Sequence, residues 1–265
     1  MPSSYASHTI ADGKASRPAY TVGTLVTDWA LYDKMIQSMR ERGFGDDCEF
    51  LTVDNSSGNQ ADAYTGLNRM LNDARGRTII LCHQDVELVD DGREQLDRCL
   101  AELEAIDPAW AIAGNAGCDG FHVMYLCVSS ATDTYRSPDL PKRVHSLDEN
   151  FLVIRPEARL SFSRDLAGFH MYGADICTIA DILGWNAYVI PFHLAHYGEA
   201  KMGEPFRQCE VAFVAKWRRA LRHRQLQTTV VHLLLVGENC PAWYAWLKRK
   251  WTRAAARWRT GRLVC

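Results

Sequence analysis

Three short apolar runs, Tyr20 to Val26 (YTVGTLV), Cys48 to Val53 (CEFLTV) and Thr78 to Cys82 (TIILC), are separated by two stretches with helical spacing, Leu31 to Arg42 and Asp62 to Ala74. This strand-helix-strand-helix-strand alternation limits the fold more than any other feature. Strands joined through helices pair in parallel, and the helices cover the sheet faces. The pattern continues with a helix over Gly92 to Ile106 and a strand, Trp110 to Gly114, entering the turn-like Asn115-Ala116-Gly117. A strand over Phe121 to Ser129 follows, then a polar two-proline stretch, Asp133 to Arg143, expected as a mobile loop. Val144 to Pro156 returns to the sheet, Asp175 to Leu183 is helical before Gly184, and Tyr188 to Pro191 is a strand. Beyond His196 the chain is expected to be helical and basic.

A length of 265 residues suits one large α/β domain, alone or with an appendage. No apolar run reaches the length of a membrane span. Met1 to Pro18 is small and polar and reads as a disordered arm, not a signal peptide. Nine cysteines without a CxxC pair point to a reducing, cytoplasmic setting. The net charge of −2 hides an asymmetry: from Ala215 to Cys265, 12 Lys and Arg face one acid, Glu238, while the remainder is acidic. The expected organisation is therefore an arm (1–18), a catalytic-type domain (19–214) and a basic helical extension (215–265). In that extension Trp217-Arg218-Arg219, Lys248-Arg249-Lys250-Trp251 and Arg257-Trp258-Arg259 interleave aromatic and basic residues. Such a tail fits a helix docked on the acidic body or an anionic membrane surface. Nucleic acid is not expected, since no recognition motif is present and the body would repel it.

The chemistry concentrates where Thr78 to Cys82 ends in His83-Gln84-Asp85. Residues at the carboxyl ends of α/β strands face the crevice in which ligands bind. A carboxylate and an imidazole two residues apart can hold a metal ion; a surface turn is the other reading. Three further anchors follow the same order as this motif: Val53-Asp54-Asn55-Ser56-Ser57, Gly66-Leu67-Asn68, and His170-Met171-Tyr172-Gly173-Ala174-Asp175 with Gly184 and His193 or His196 beyond it. Together they resemble a family-2-like nucleotide-sugar glycosyltransferase of the GT-A fold, in a branch with His-Gln-Asp-Val where most members carry Asp-x-Asp. The resemblance runs from about Tyr20 to Gly198.

It implies an α/β, Rossmann-like and mostly parallel central sheet flanked by helices. It also implies transfer of a sugar from a nucleotide diphosphate, UDP favoured, to a hydroxyl of a glycan or lipid-linked glycan. Mn2+ or Mg2+ would be held by Asp85 with His83 and His196, the imidazoles favouring Mn2+. Nucleotide contacts fall to Thr27, Asp28, Asp54, Asn55, Asn68 and His83. Asp28 is equally readable as a helix N-cap, and Asp54 as an Asx-turn. The position of the usual catalytic base is Gly173, so the candidates are Asp175 first, then Asp148 and Glu149. Asp175 could instead only favour the positive end of a helix dipole. His170 and Tyr172 would shape the acceptor site, and Asn115 and Gly117 the sugar site. The reading expects the second and third strands to end side by side, with Asp54 and Asp85 facing one crevice. His83 and Gly173 also admit a binding module that has lost catalysis. A metal-dependent hydrolase using His83, Asp85, His193 and His196 lacks a dense ligand motif.

Overall fold

The computed structural model describes residues 17–120, 123–198, 203–227 and 231–235. It divides into two compact units, Met1–Glu210 and Val211–Cys265. The predicted arm up to residue 16 and the tail tryptophans Trp243, Trp246, Trp251 and Trp258 lie outside the described residues.

The first unit opens with the predicted alternation: β1 (Tyr20–Val26), α1 (Trp29–Glu41), β2 (Cys48–Asp54), α2 (Ala63–Asp73), β3 (Thr78–Cys82), β4 (Val86–Glu87) and α3 (Arg93–Ile106). Asp28 caps α1, its carboxylate accepting from the Ala30 and Leu31 N–H groups at 2.8 and 3.3 Å. Asp62 does the same for α2 through Thr65 N. Each cap satisfies donors that a helix start leaves unpaired. The chain continues through β5 (Trp110–Gly114), β6 (Ala116–Cys118), β7 (Met124–Ser129), β8 (Thr134–Arg136), β9 (Lys142–Val144), β10 (Ser146–Leu147) and β11 (Phe151–Ile154). Then come α4 (Tyr172–Ile182), β12 (Asn186–Val189), β13 (Leu194–His196) and α5 (Glu204–Ala220), which runs on past Glu210.

The central sheet has the order β2-β1-β3-β11-β5-β12-β9. β1, β2, β3, β5 and β12 run one way, and β11 and β9 run against them. Five of its seven strands thus point one way, as expected, while three of its six pairings are parallel and three antiparallel. Its order corrects one expectation. β1 stands between β2 and β3, so those two strands do not end side by side. The core packs α1 and α3 on this sheet through Met35, Met39, Leu96 and Leu103, with Ile80, Phe151 and Phe192 fully buried beside them. Phe151 and Phe192 stack at 5.3 Å. Each such side chain adds about 1.5–3 kcal/mol by leaving water.

Two registers set the site. Phe151 of β11 lies opposite Cys82 of β3, so Asp148-Glu149-Asn150 arrive at the carboxyl end of β3, where His83 N donates to Asn150 O at 2.9 Å. In a second sheet, β10-β6-β7-β13-β4, His196 of β13 lies opposite Val86 of β4, next to Asp85.

Other local expectations shift. Asp133 to Arg143 is not a plain loop: β8 pairs with β7 and β9 with β12, so partners with free edges outweigh a polar, proline-bearing sequence. Asn115-Ala116-Gly117 is not a glycine-rich turn but the passage from β5 into β6, where Ala116 and Gly117 join the second sheet. In the second unit, the expected helical extension includes a hairpin, β14 (Arg224–Gln227) against β15 (His232–Leu235), with Leu226 opposite Leu233. The leucine run satisfies its backbone across this ladder instead of along a helix. No described helix is long and apolar enough to cross a membrane.

Candidate active site at the strand ends

A cavity of about 360 Å3 opens at the carboxyl ends of β1 and β3. Its apolar wall is Leu25, Ala63, Leu67, Leu81, Cys82 and Phe169; its polar groups are Thr27, His83, Gln84, Asp85, Glu149 and Tyr172. A mostly apolar cleft with a few convergent polar groups is the usual form of a small-molecule site. Gln84 fastens the two strand ends together. Its Oε1 accepts from Thr27 N and Asp28 N at 2.8 and 2.9 Å, and its Nε2 donates to Thr27 Oγ1 at 2.7 Å.

At the rim, His83, Asp85 and His196 each offer a ligand atom, all within 4.8 Å of one another. Asp85 Oδ1 is 3.4 Å from His196 Nε2 and 3.9 Å from His83 Nδ1. Burial pushes the His83 imidazole below its ordinary value, against the pull of Asp85, and so favours the neutral form that can ligate. Burial works against charge on both members of the Asp85–His196 pair, but their hydrogen bond wins: Asp85 stays low and His196 is raised. Gly198 completes the recess, since a Cβ there would collide with Asp85 Oδ2 and lie 2.9 Å from His196 Nε2. Two imidazoles, one carboxylate and a space that a side chain would fill fit a divalent cation.

Glu149 lies on the cavity wall, half-buried, and accepts from Gly173 N at 3.3 Å. Burial raises its carboxyl to about 8, with the neighbouring Asp148 charge adding to the effect. Asp148 is exposed and accepts from Asn150 N at 2.9 Å. Gly173 is closed to any side chain, because a Cβ would strike the Leu147 carbonyl oxygen. Tyr172 is buried, with its hydroxyl 2.7 Å from His83 Nε2.

The other candidates are placed elsewhere. Asp175 is fully buried in the first turn of α4, where its two oxygens accept from Ser163 N and Ser163 Oγ at 2.8 and 2.7 Å; it does not line the cavity. Asn68 exchanges both amide bonds with the Phe162 backbone, and Asn55 is buried, closing its loop on Gln60 and Ala61. Asp54 is exposed and held low chiefly by the Ser56 hydroxyl and N–H, the Asx-turn arrangement, and the wall does not include it. Asn115 is buried and donates to Cys127 O at 3.4 Å. His170 packs its ring on Phe206 at 5.3 Å. His193 does not join His196. It is buried, with Nε2 2.9 Å from Ser129 Oγ and Nδ1 3.1 Å from Asp90. Sequence reasoning missed Gln84 as a clamp, Phe169 as wall, Gly198 as recess and the bond between His83 and Tyr172. Gln84 was in view inside the motif, but its role depends on β1 lying beside β3.

No family model matches the chain. A curated relative, the "ATP synthase subunits region ORF 6" protein of Fuscovulum blasticum, is 38% identical over 243 residues, covering 89% of this chain and 96% of that protein. Among solved structures, the mannosyltransferase PcManGT from Pyrobaculum calidifontis, in complex with GDP-Man and Mn2+, is similar at a TM-score of 0.51 and 15% identity, over 77% of this chain and 65% of that one. GalNAc-T7, solved with UDP, GalNAc and Mn2+, is similar at a TM-score of 0.53 and 9% identity, over 74% of this chain and 47% of that one. The chain thus spans under two thirds of the length of either structure. The strand order, the rim cation group and these likenesses agree: the chain belongs to the family of the Fuscovulum blasticum ORF 6 protein and has the fold of the GT-A glycosyltransferases.

Proposed function

We propose that the chain moves a sugar from a nucleotide-diphosphate donor, UDP-linked, to a hydroxyl of a glycan or lipid-linked glycan. One juxtaposition carries the reading: a cavity at the ends of β1 and β3 shares its wall and rim with the cation group His83, Asp85 and His196. The GDP-Man and Mn2+ named for PcManGT, and the UDP, GalNAc and Mn2+ named for GalNAc-T7, support it. Thr27 and Asp28 at the end of β1, with Asp54 at the end of β2, form the nucleotide side. His83, Asp85 and His196 would hold a divalent ion, Mn2+ above Mg2+, which would supply positive charge to a departing diphosphate. Glu149 is the base. Its carboxylate takes the proton of the acceptor hydroxyl as that oxygen attacks the anomeric carbon, and a carboxyl titrating near 8 suits proton transfer close to neutral pH. Gly173 leaves Glu149 its place, since its N–H binds that carboxyl. The base role thus moves from Asp175, the first sequence candidate, to Glu149.

The basic extension supports peripheral contact with an anionic membrane from the cytoplasmic side, where a lipid-linked acceptor would be met. Calorimetric titration of UDP with and without Mn2+, alongside donor hydrolysis, tests the reading. Mn2+-enhanced UDP binding with slow donor hydrolysis upholds it. Nucleotide binding without turnover for any donor indicates a binding module instead. Tight metal binding without nucleotide binding indicates a hydrolase.

A further inference from the structure

Tyr172 is the first residue of α4, buried at 4% exposure and wedged edge-on between Tyr64 and Phe162 at 6.3 and 5.9 Å. Its hydroxyl touches two groups. His83 Nε2 lies at 2.7 Å, and the Glu149 backbone oxygen at 3.3 Å. A carbonyl oxygen only accepts, so the phenol proton goes to Glu149 O. The hydroxyl lone pair then faces Nε2, and His83 must supply the proton of that bond. The opposite arrangement would place a proton on His83 Nδ1. The neighbouring carboxylate oxygen, Asp85 Oδ1, stands 3.9 Å from that nitrogen, beyond hydrogen-bond reach.

We infer that Tyr172 is a positioning residue for the cation group: it holds His83 as the Nε2–H tautomer and turns the bare Nδ1 toward Asp85 and His196, so that His83 ligates through Nδ1. His196 offers the other ring nitrogen, Nε2, toward Asp85. Outer hydrogen bonds of this kind fix the tautomer and ring orientation of a ligating histidine. They also explain how an imidazole on a strand-end turn is held still. The Glu149–Tyr172–His83 chain ties the start of α4 and the turn before β11 to the rim. The inference rests on the cation reading above for its metal part, while the tautomer is a property of the protein alone.

The test uses full-length protein labelled with 15N-histidine, with Cd2+ as the diamagnetic probe for the spectra and Mn2+ for calorimetry. In the wild type, His83 should show a protonated Nε2 and a bare Nδ1, and Cd2+ should shift the Nδ1 resonance. Tyr172→Phe keeps the ring packing and removes the hydroxyl. It should release His83 into a mixture of tautomers and weaken Mn2+ binding roughly 10- to 100-fold, in protein that still unfolds cooperatively at a melting point lowered by the lost hydrogen bonds. A wild-type His83 protonated on Nδ1 overturns the inference even if the variant fails to fold. So do an unchanged tautomer and unchanged Mn2+ affinity in Tyr172→Phe. Wild-type protein that binds neither ion, with His83 still protonated on Nε2, upholds the tautomer assignment and overturns the metal reading.

Discussion

Asp175 separates a chemical role from a structural one. Both of its oxygens are engaged by Ser163 in the interior, one by the backbone N–H and one by the hydroxyl. Asp175→Ala would leave two buried donors unpaired at roughly 1–3 kcal/mol each, about 2–6 kcal/mol together. Against a total stability of about 5–15 kcal/mol, that is enough to unfold part of the population at physiological temperature. Asp175→Asn is gentler. Its amide oxygen can still accept from Ser163 N, and its NH2 can donate to a Ser163 hydroxyl that rotates to accept. The charge assistance is lost and the Ser163 hydroxyl proton gives up its acceptor, about 1–3 kcal/mol together. Urea unfolding of the wild type and both variants measures these losses, and a transfer or donor-hydrolysis assay on the folded fraction measures activity. The Asn variant should retain activity within a few-fold. A thousand-fold loss of turnover in Asp175→Asn at unchanged stability would refute this reasoning and return the residue to the chemistry.

Other outcomes follow from the same geometry. Asp85→Ala removes the carboxylate common to both imidazoles, so UDP affinity should no longer differ with and without Mn2+, where the wild type gains roughly tenfold or more, read by calorimetry. Glu149 carries its proton to about 8 in the folded protein, against an ordinary value of 4.5. The folded state therefore binds the extra proton, stability falls as pH rises from about 4.5 through about 8, and Glu149→Gln should flatten that slope in denaturation curves taken across the range. The same variant should abolish transfer at every pH while retaining UDP binding. Gly173→Ala drives a methyl against the Leu147 carbonyl oxygen and to 3.1 Å from Glu149 Cγ; it should cost about 1–3 kcal/mol in thermal unfolding and lower turnover by displacing that carboxyl.

The alternation from Tyr20 to Cys82 was legible because each element declares itself within a few residues, by period and by caps such as Asp62. Strand order was not, since neighbours in a parallel sheet are chosen by crossovers; β1 lies between β2 and β3, and no local signal says so. His83 and Asp85 could be named from one motif, and the structure brings them to His196. The choice among Asp175, Asp148 and Glu149 turns on burial. Three carboxylates that look alike in sequence end up bound to Ser163, exposed to solvent, and set in the cavity wall. The hairpin at Arg224 to Leu235 escaped because an apolar leucine run has no period that separates a short strand from a helix.

The pairing of β4 with β13 is only a two-residue ladder, extended by Tyr197 N donating to Asp85 O at 3.2 Å, yet it sets the register that brings His196 beside Asp85. An ion held by His83, Asp85 and His196 would act as a clasp between distant parts of the chain. Each transient opening of that ladder would first have to shed the ion, so amide exchange at Tyr197, whose N–H donates to Asp85 O across it, should slow with added Mn2+ in proportion to its occupancy.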